Sequence, residues 1–460
     1  MSKRNYPYIP NSDPAVQAEM LKFIGAESID ELIGQNIPRE LLMKEPLKLP
    51  QPYAAECDLV RHVSGILAKD KTANEMTSFL GAGCYNRYVP ALVDEVINRS
   101  EFLSAYAGEP YEDHGRFQAC FEYESMMAEL LDCDVVNVPN YDGSQAAGTA
   151  LRMATRVTKR DEVLIPSTLN PDVARAVKTY LHPDVKATSV AYDRTTGRLD
   201  LNDLEAKLSD KTAAVMVMNP NFFGVVEEEA SRIADLAHAA GALSVVYAEP
   251  STLGVMKPPF QYGADLACGD IQALGIHMNY GGGVGGYMAA QDRPEIVREY
   301  PSRLFGLAPT THGEWGFGDV MWERTSFAVR DRAKEFVGTH AALWSIGAAV
   351  YLASLGPKGM QELGKTILQR SLLLRKRLAS VKGLTVCPLS GATFQEFVVR
   401  FENKTVAEVN AALLKKNILG GFDLSRDFPE LGQCALLCVT ERTGEDDVDA
   451  LVEALSEILA

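Results

Sequence analysis

The chain has 460 residues, 47% of them apolar, and carries 61 acidic against 45 basic side chains, a formal charge of -16. That length implies two or three domains with substantial cores, and an acidic balance without any lysine-rich or arginine-rich block speaks against nucleic acid or an anionic membrane as partner. The 8 cysteines make no Cys-x-x-Cys pair and no Cys/His spacing for zinc, the N-terminus has no apolar signal core, and no window reaches the ~18 apolar residues of a membrane span. The expectation is a cytoplasmic, metal-free protein with buried, reduced thiols.

Residues 1–75 are expected to form a helical arm. Asp13-Pro14 opens one amphipathic helix, the capping box Ser28-Ile-Asp-Glu31 opens another, and 47–52 is a proline-bounded connector. Next comes Phe79-Leu-Gly81-Ala-Gly83-Cys-Tyr85-Asn-Arg87-Tyr88, a glycine turn with aromatic and polar side chains, followed by a helix over 91–98. Residues 101–118 are a polar, aromatic loop holding Tyr106, Tyr111 and His114, groups able to bind or exchange protons. His114 reads either as a general base or as a loop histidine bonded to a neighbouring carboxylate.

From residue 119 the pattern alternates. Helices are expected over 119–131, 145–156, 171–181, 201–208 and 228–240, and strands over 134–138, 162–166, 186–191, 212–218, 243–248 and 264–269. Such alternation implies right-handed crossovers and a mostly parallel sheet covered on both faces. Ligands on such sheets bind at the C-terminal strand ends, so the loops after Val138, Met218, Ala248 and Asp270 should converge. The first loop holds Asp142-Gly143-Ser144 at a helix start, where main-chain N–H groups favour an anion, although the same residues make an ordinary N-cap. The second holds Asn221. The last runs to Gly281-Gly282-Gly283-Val-Gly-Gly286, and no lysine falls between Lys257 and Lys334.

Residues 291–325 are irregular, aromatic and arginine-bearing, with Arg298, Arg303 and Arg324 reading as carboxylate or carrier contacts or as surface ion pairs. A long helix is expected over 329–355, stopping at Gly356-Pro357, and a second over 360–381. The tail reads as strand (383–401), helix (406–417), glycine turn, strand and helix, a small α+β domain. The expected domains are therefore 1–75, 76–325 and 326–460.

Tyr8-Ile-Pro-Asn11, Ser28-Ile-Asp-Glu-Leu32, Phe79-Leu-Gly-Ala-Gly83, Asn219-Pro-Asn-Phe-Phe-Gly224, Gly263-Ala-Asp265 through Gly275, Val350-Tyr-Leu-Ala353, Leu355-Gly-Pro357, Phe428-Pro-Glu-Leu431 and Val439-Thr-Glu441 form an ordered set. Together they resemble the glycine dehydrogenase (decarboxylating) family, the P-protein of the glycine cleavage system, and in particular subunit 1 of its two-chain form. The resemblance implies the aminotransferase-like fold of pyridoxal-phosphate-dependent transferases (fold type I), an α/β architecture with a mostly parallel central sheet, an N-terminal helical arm and a small C-terminal α+β domain. It also implies that a subunit 2 carries the Schiff-base lysine and the pyridoxal phosphate, which matches the lysine-free stretch after Lys257. No cofactor is then held covalently by this chain.

The implied reaction is decarboxylation of glycine with aminomethyl transfer to the lipoyl arm of H-protein, in an α2β2 assembly. Subunit 1 supplies the second wall of the cleft, with Asp142, Gly143, Ser144, Asn221, Gly281, Gly282 and Gly283 as candidate lining residues and Tyr106, Tyr111 and His114 as candidate catalytic groups. Glu249 stands where enzymes of this fold place an aspartate beneath the cofactor ring, and it reads as a relic or an interfacial group. Lys334 is the remaining candidate for a replacement lysine. Three segments depart from the family pattern: Ala107-Gly-Glu-Pro-Tyr111-Glu-Asp-His114-Gly115, which is one residue shorter, Ala333 to Ala341, and the glycine loop 280–286. They leave open a paralogous subunit for another small amine or amino acid, or a non-catalytic scaffold.

Overall fold

The protein is described by a computed structural model covering residues 8–45, 47–103, 114–281, 284–332, 335 and 341–460. It divides into two units, Met1–Asp70 and Lys71–Ala460. In the first unit, α1 (Pro14–Ile24) starts at Asp13, whose carboxylate accepts the Ala15 amide at 2.7 Å, and stops at Gly25 in the left-handed conformation. Helix α2 (Ile29–Asn36) is capped by Ser28, which accepts the Glu31 amide at 3.1 Å, and α3 is Glu56–Leu67. None of these three helices contains a buried residue.

The second unit begins with β1 (Thr77–Ser78) and α4 (Ala91–Ile97), followed by α5 (His114–Leu131) and β2 (Val135–Val136). Helix α6 (Gly143–Thr158), β3 (Glu162–Pro166), α7 (Pro171–Leu181), β4 (Lys186–Val190), α8 (Leu201–Lys207) and β5 (Thr212–Met218) come next. They lead through α9 (Ala230–Ala239) and β6 (Leu243–Tyr247) to β7 (Leu266–Asp270) and β8 (Gly286–Ala290). These strands form one sheet in the order β2-β8-β7-β6-β5-β3-β4. Strands β3 to β7 pair in parallel, while β8 lies antiparallel to both β7 and β2.

Helices cover both faces. Helices α6 and α7 pack through Ala147, Ala150, Leu151, Ala154, Val173 and Val177 on one side, and α5 packs with a later helix (Ala342–Leu378) through Tyr123, Met127, Ala348 and Leu352 on the other. A strand shielded on both faces needs apolar residues at every position, which is why β5 reads Thr-Ala-Ala-Val-Met-Val-Met without alternation.

After α10 (Pro294–Val297), the segment expected to be irregular contains an antiparallel hairpin, β9 (Phe305–Pro309) and β10 (Trp315–Asp319). The helix expected over 329–355 starts instead at Ala342, because Ser326–Arg332 takes tighter 3-10 turns. The expected stop is present inside α11 (Ala342–Leu378): Gly356, at φ 60 and ψ -177, leaves helical geometry and separates two helical stretches at a kink, with Pro357 opening the second. The expected strand over 383–401 is two strands, β11 (Leu384–Val386) and β12 (Glu396–Phe401).

Helix α12 (Val406–Leu414), β13 (Ile418–Leu419), β14 (Phe422–Asp423), β15 (Cys434–Cys438) and α13 (Glu445–Leu459) complete the chain. Strands β11-β12-β15-β14 form a second, antiparallel sheet whose core holds Phe397, Val399, Leu413, Leu437 and Leu451. Strand β1 pairs in parallel with β13 as a separate two-stranded sheet, and Phe79 beside it and Ile418 within it join the core of the small sheet.

Candidate functional site

Of the four loops expected to converge, those after Val138 and Asp270 meet directly. At the start of α6 the Asp142 carboxylate accepts the Gln145 amide at 2.7 Å, an N-cap. The Gly143 amide donates to the Asp270 carboxylate at the end of β7 at 3.0 Å, and the other oxygen of Asp270 accepts the Gln272 amide at 2.8 Å. A Cβ on Gly143 would stand 2.4 Å from the Tyr247 hydroxyl and 3.0 Å from the Asp270 Cβ, so only glycine fits. Burial pushes the Asp270 carboxyl up to about 7, against the lowering effect of the amides it accepts. The helix terminus that could hold an anion is thus engaged by carboxylates of the chain itself.

The other candidates are placed differently. Ser144 is half-buried beside Gly143. Asn221 is buried, its amide NH2 donating to the Gly197 carbonyl at 2.8 Å and its oxygen accepting the Phe223 amide at 3.0 Å, so its polar atoms shape its own loop. Gly281, at φ 86, is exposed next to the fully exposed Tyr280. Tyr141, just before Asp142, is also exposed, so aromatic rings stand in the loops after both β2 and β7. Tyr106, Tyr111, Gly282, Gly283, Lys334 and the side chain of His114 lie outside the described residues.

A buried polar network surrounds the glycine turn. The Arg87 guanidinium donates to Glu441 at 2.9 Å, to the Ser251 hydroxyl at 2.7 Å and to Gln395 at 2.5 Å, and it stands 3.7 Å from Glu249. Glu249 accepts the Ser251 amide at 3.0 Å and the Ser251 hydroxyl at 2.5 Å, so its carboxylate is spent within the chain. Gln272 clasps the Tyr85 backbone from both sides, accepting its N–H and donating to its carbonyl, each at 3.0 Å. The fully buried Glu396 accepts the Ala82 amide at 2.6 Å and the Tyr85 hydroxyl at 3.2 Å, and burial raises its carboxyl to about 7.

Sequence reasoning placed Asp270 at a converging strand end without giving its carboxylate a role, and it did not assign Tyr247, Glu396 and Glu441 to this region. The available signal was a carboxylate closing or interrupting an apolar run, as in Leu-Ala-Cys-Gly-Asp270 and Gln395-Glu-Phe-Val-Val. Of the arginines, Arg303 pairs with Asp319 at 3.1 Å and Arg324 with Asp292, while Arg298 is exposed.

A phosphate-bearing pyridoxal cofactor does not fit these strand ends. First-turn amides of α6 are engaged by Asp270 and Asp142, Tyr247 crowds Gly143, and no lysine lies between Lys257 and Lys334. The arrangement can hold a rigid wall and bury charge, and among the described residues it shows no amine nucleophile.

Comparison with known proteins places these features in context. The family model described as "Glycine cleavage system P-protein" matches residues 6–455. A probable glycine dehydrogenase (decarboxylating) subunit 1 from Pyrococcus abyssi is 40% identical over 458 residues, covering 98% of this chain and 99% of the relative. The crystal structure of a glycine decarboxylase (P-protein) of the glycine cleavage system, in inhibitor-bound form, superimposes with a TM-score of 0.87 at 33% identity, covering 99% of this chain and 100% of that one. A NifS-like protein from Rickettsia africae, at 14% identity, shares the fold with a TM-score of 0.64, covering 83% of this chain and 99% of that one.

Proposed function

The chain belongs to the glycine cleavage system P-protein family, and from that premise we propose that it is subunit 1 of a two-chain glycine dehydrogenase (decarboxylating) whose pyridoxal phosphate is held by subunit 2. The observation that carries this reading is the engaged start of α6: the Gly143 amide donates to Asp270, a Cβ at Gly143 would meet the Tyr247 hydroxyl, Arg87 stands 3.7 Å from Glu249, and no lysine falls between Lys257 and Lys334. Electron withdrawal from the carbon that loses CO2 is the cofactor's contribution, made on the partner.

This chain's contribution is positional. The network from Arg87 through Gln395, Glu441, Ser251 and Glu249 fixes the glycine turn against the sheet ends, and Gln272 locks Tyr85 onto the loop after β7. A wall held this rigidly keeps a shared cleft shaped and dry, which favours loss of a carboxylate over its solvation. Exposed Tyr141 and Tyr280 supply amphipathic rings suited to a protein–protein interface. The same reading includes an α2β2 assembly, lipoyl H-protein as acceptor and a cytoplasmic location, with all eight cysteines free.

The purified full-length chain, supplied with excess pyridoxal phosphate, is expected to show no borohydride-reducible absorbance, while its mixture with a lysine-bearing subunit 2 homologue shows it on that partner only. Peptide mapping that places a reduced cofactor on this chain, at Lys334 or elsewhere, contradicts the proposal.

A further inference from the structure

Asp270 closes β7 at the junction of three segments, and their amides meet at its carboxylate. The Gly143 amide of α6 donates to one oxygen at 3.0 Å, the Gln272 amide donates to the other at 2.8 Å, and the Gly285 amide at the entry to β8 is a third donor. The backbone closes in tightly around this point, since a Cβ on Gly286 would stand 1.9 Å from the Asp142 carbonyl oxygen. Amides that converge from a helix start and a glycine-lined loop form a concavity suited to an anion. In this chain a side chain supplies that anion. The titratable groups that face it are Asp142 at the cap of α6, Tyr247 on β6, Tyr123 on α5 and the half-buried Cys84 of the glycine turn. Among the described residues no lysine or arginine pairs with it. A second anion entering the same space would find its donors taken and would face the carboxylates of both Asp270 and Asp142.

We propose that Asp270 is a specificity-determining residue, a built-in anion that fills the amide cradle and bars phosphate esters, a pyridoxal cofactor included, from the strand ends of this chain. The inference rests on the two-chain reading above and deepens it, by naming the residue that keeps the cofactor on the partner. The carboxylate also does structural work: through its amide donors it ties the start of α6, the end of β7 and the entry to β8 together, the task that a bound phosphate would otherwise perform. Removing it leaves three amides without an acceptor, in a space from which one side chain has gone, and buried donors in that state favour any anion that can reach them.

Asp270→Ala in the full-length chain tests the proposal by thermal unfolding and titration calorimetry with inorganic phosphate, with chloride at equal ionic strength as the control. In chloride the variant is expected to melt below the wild type. In phosphate its melting temperature is expected to recover along a saturable curve, as mass action requires of a ligand held by the folded state, while the wild type melts alike in both salts. Inorganic phosphate is expected to bind the variant at least tenfold more tightly than the wild type. Asp270→Ser, whose hydroxyl can accept one of the amides, carries the same titration where the alanine variant does not fold in chloride. A folded variant without gained phosphate affinity overturns the inference, as does a wild-type chain that binds phosphate equally well. Failure of both variants to fold in phosphate overturns it too, because the anion is then not replaceable. None of these outcomes touches assembly of the wild-type chain with a subunit 2 homologue, measured separately, so the two-chain reading stands or falls on its own.

Discussion

Arg87 shows how much one buried cation holds here. Its guanidinium is buried and answers Glu441 at 2.9 Å and Glu249 at 3.7 Å. Replacing it with methionine keeps much of the volume but leaves carboxylates facing one another in a poorly solvated site. The expected loss is about 3–5 kcal/mol, read from the urea unfolding midpoint. Glu396 gives a prediction of opposite character. Its folded-state pKa is raised to about 7, above its ordinary value, so between roughly pH 4.5 and 7 the folded chain binds a proton that the unfolded chain does not. Its contribution to stability is therefore present at low pH and is lost as pH rises through 7. Glu396→Gln should flatten that part of the stability–pH curve, and an unchanged slope would contradict the assignment. At this scale the sequence was only partly legible. Asp142-Gly143-Ser144 was correctly placed at a helix start, but cap and anion site look identical in one dimension. What decides between them is Asp270, more than a hundred residues away and brought there by β7.

At the scale of elements, the alternating half of the chain could be read directly, because β3 to β7 are apolar runs separated by helical periodicity. The elements that were missed have physical reasons. Strand β8, Gly-Tyr-Met-Ala-Ala, follows a glycine run and lacks β-branched residues, and it forms because β2 and β7 satisfy it from both sides. The hairpin β9–β10 is rich in glycine and proline, and its pairing is visible only in three dimensions. The stop at Gly356-Pro357, by contrast, was legible, because glycine followed by proline interrupts a helix locally, and what only the fold shows is that Leu352 and Met360 on its two sides join one core. Gly224 ties two elements together: its φ is 75, and a Cβ there would stand 2.0 Å from the carbonyl oxygen of Glu396 on β12. Gly224→Ala is expected to cost about 2–4 kcal/mol, combining left-handed strain with a forced backbone shift. Gly313→Ala, at φ 82 with open space around it, should cost only about 1 kcal/mol. Similar losses at both sites would show that the contact with β12 contributes nothing.

At the scale of the molecule, the α/β class, the covered central sheet and the small C-terminal sheet followed from the pattern of elements, and the family followed from an ordered set of motifs. Of the segments where the chain departs from that family, 107–115 and 333–341 fall largely outside the described residues, while 280–286 is described except at 282 and 283. The curated relatives are named as subunit 1, which implies a partner subunit. The most direct test is reconstitution: this chain, a lysine-bearing subunit 2 homologue and lipoylated H-protein, assayed for glycine-dependent exchange of labelled bicarbonate. The expected result is exchange that requires all three proteins and is at least tenfold above that of subunit 2 with H-protein alone. Exchange undiminished when this chain is omitted, or seen only with a different small amine, would contradict the account.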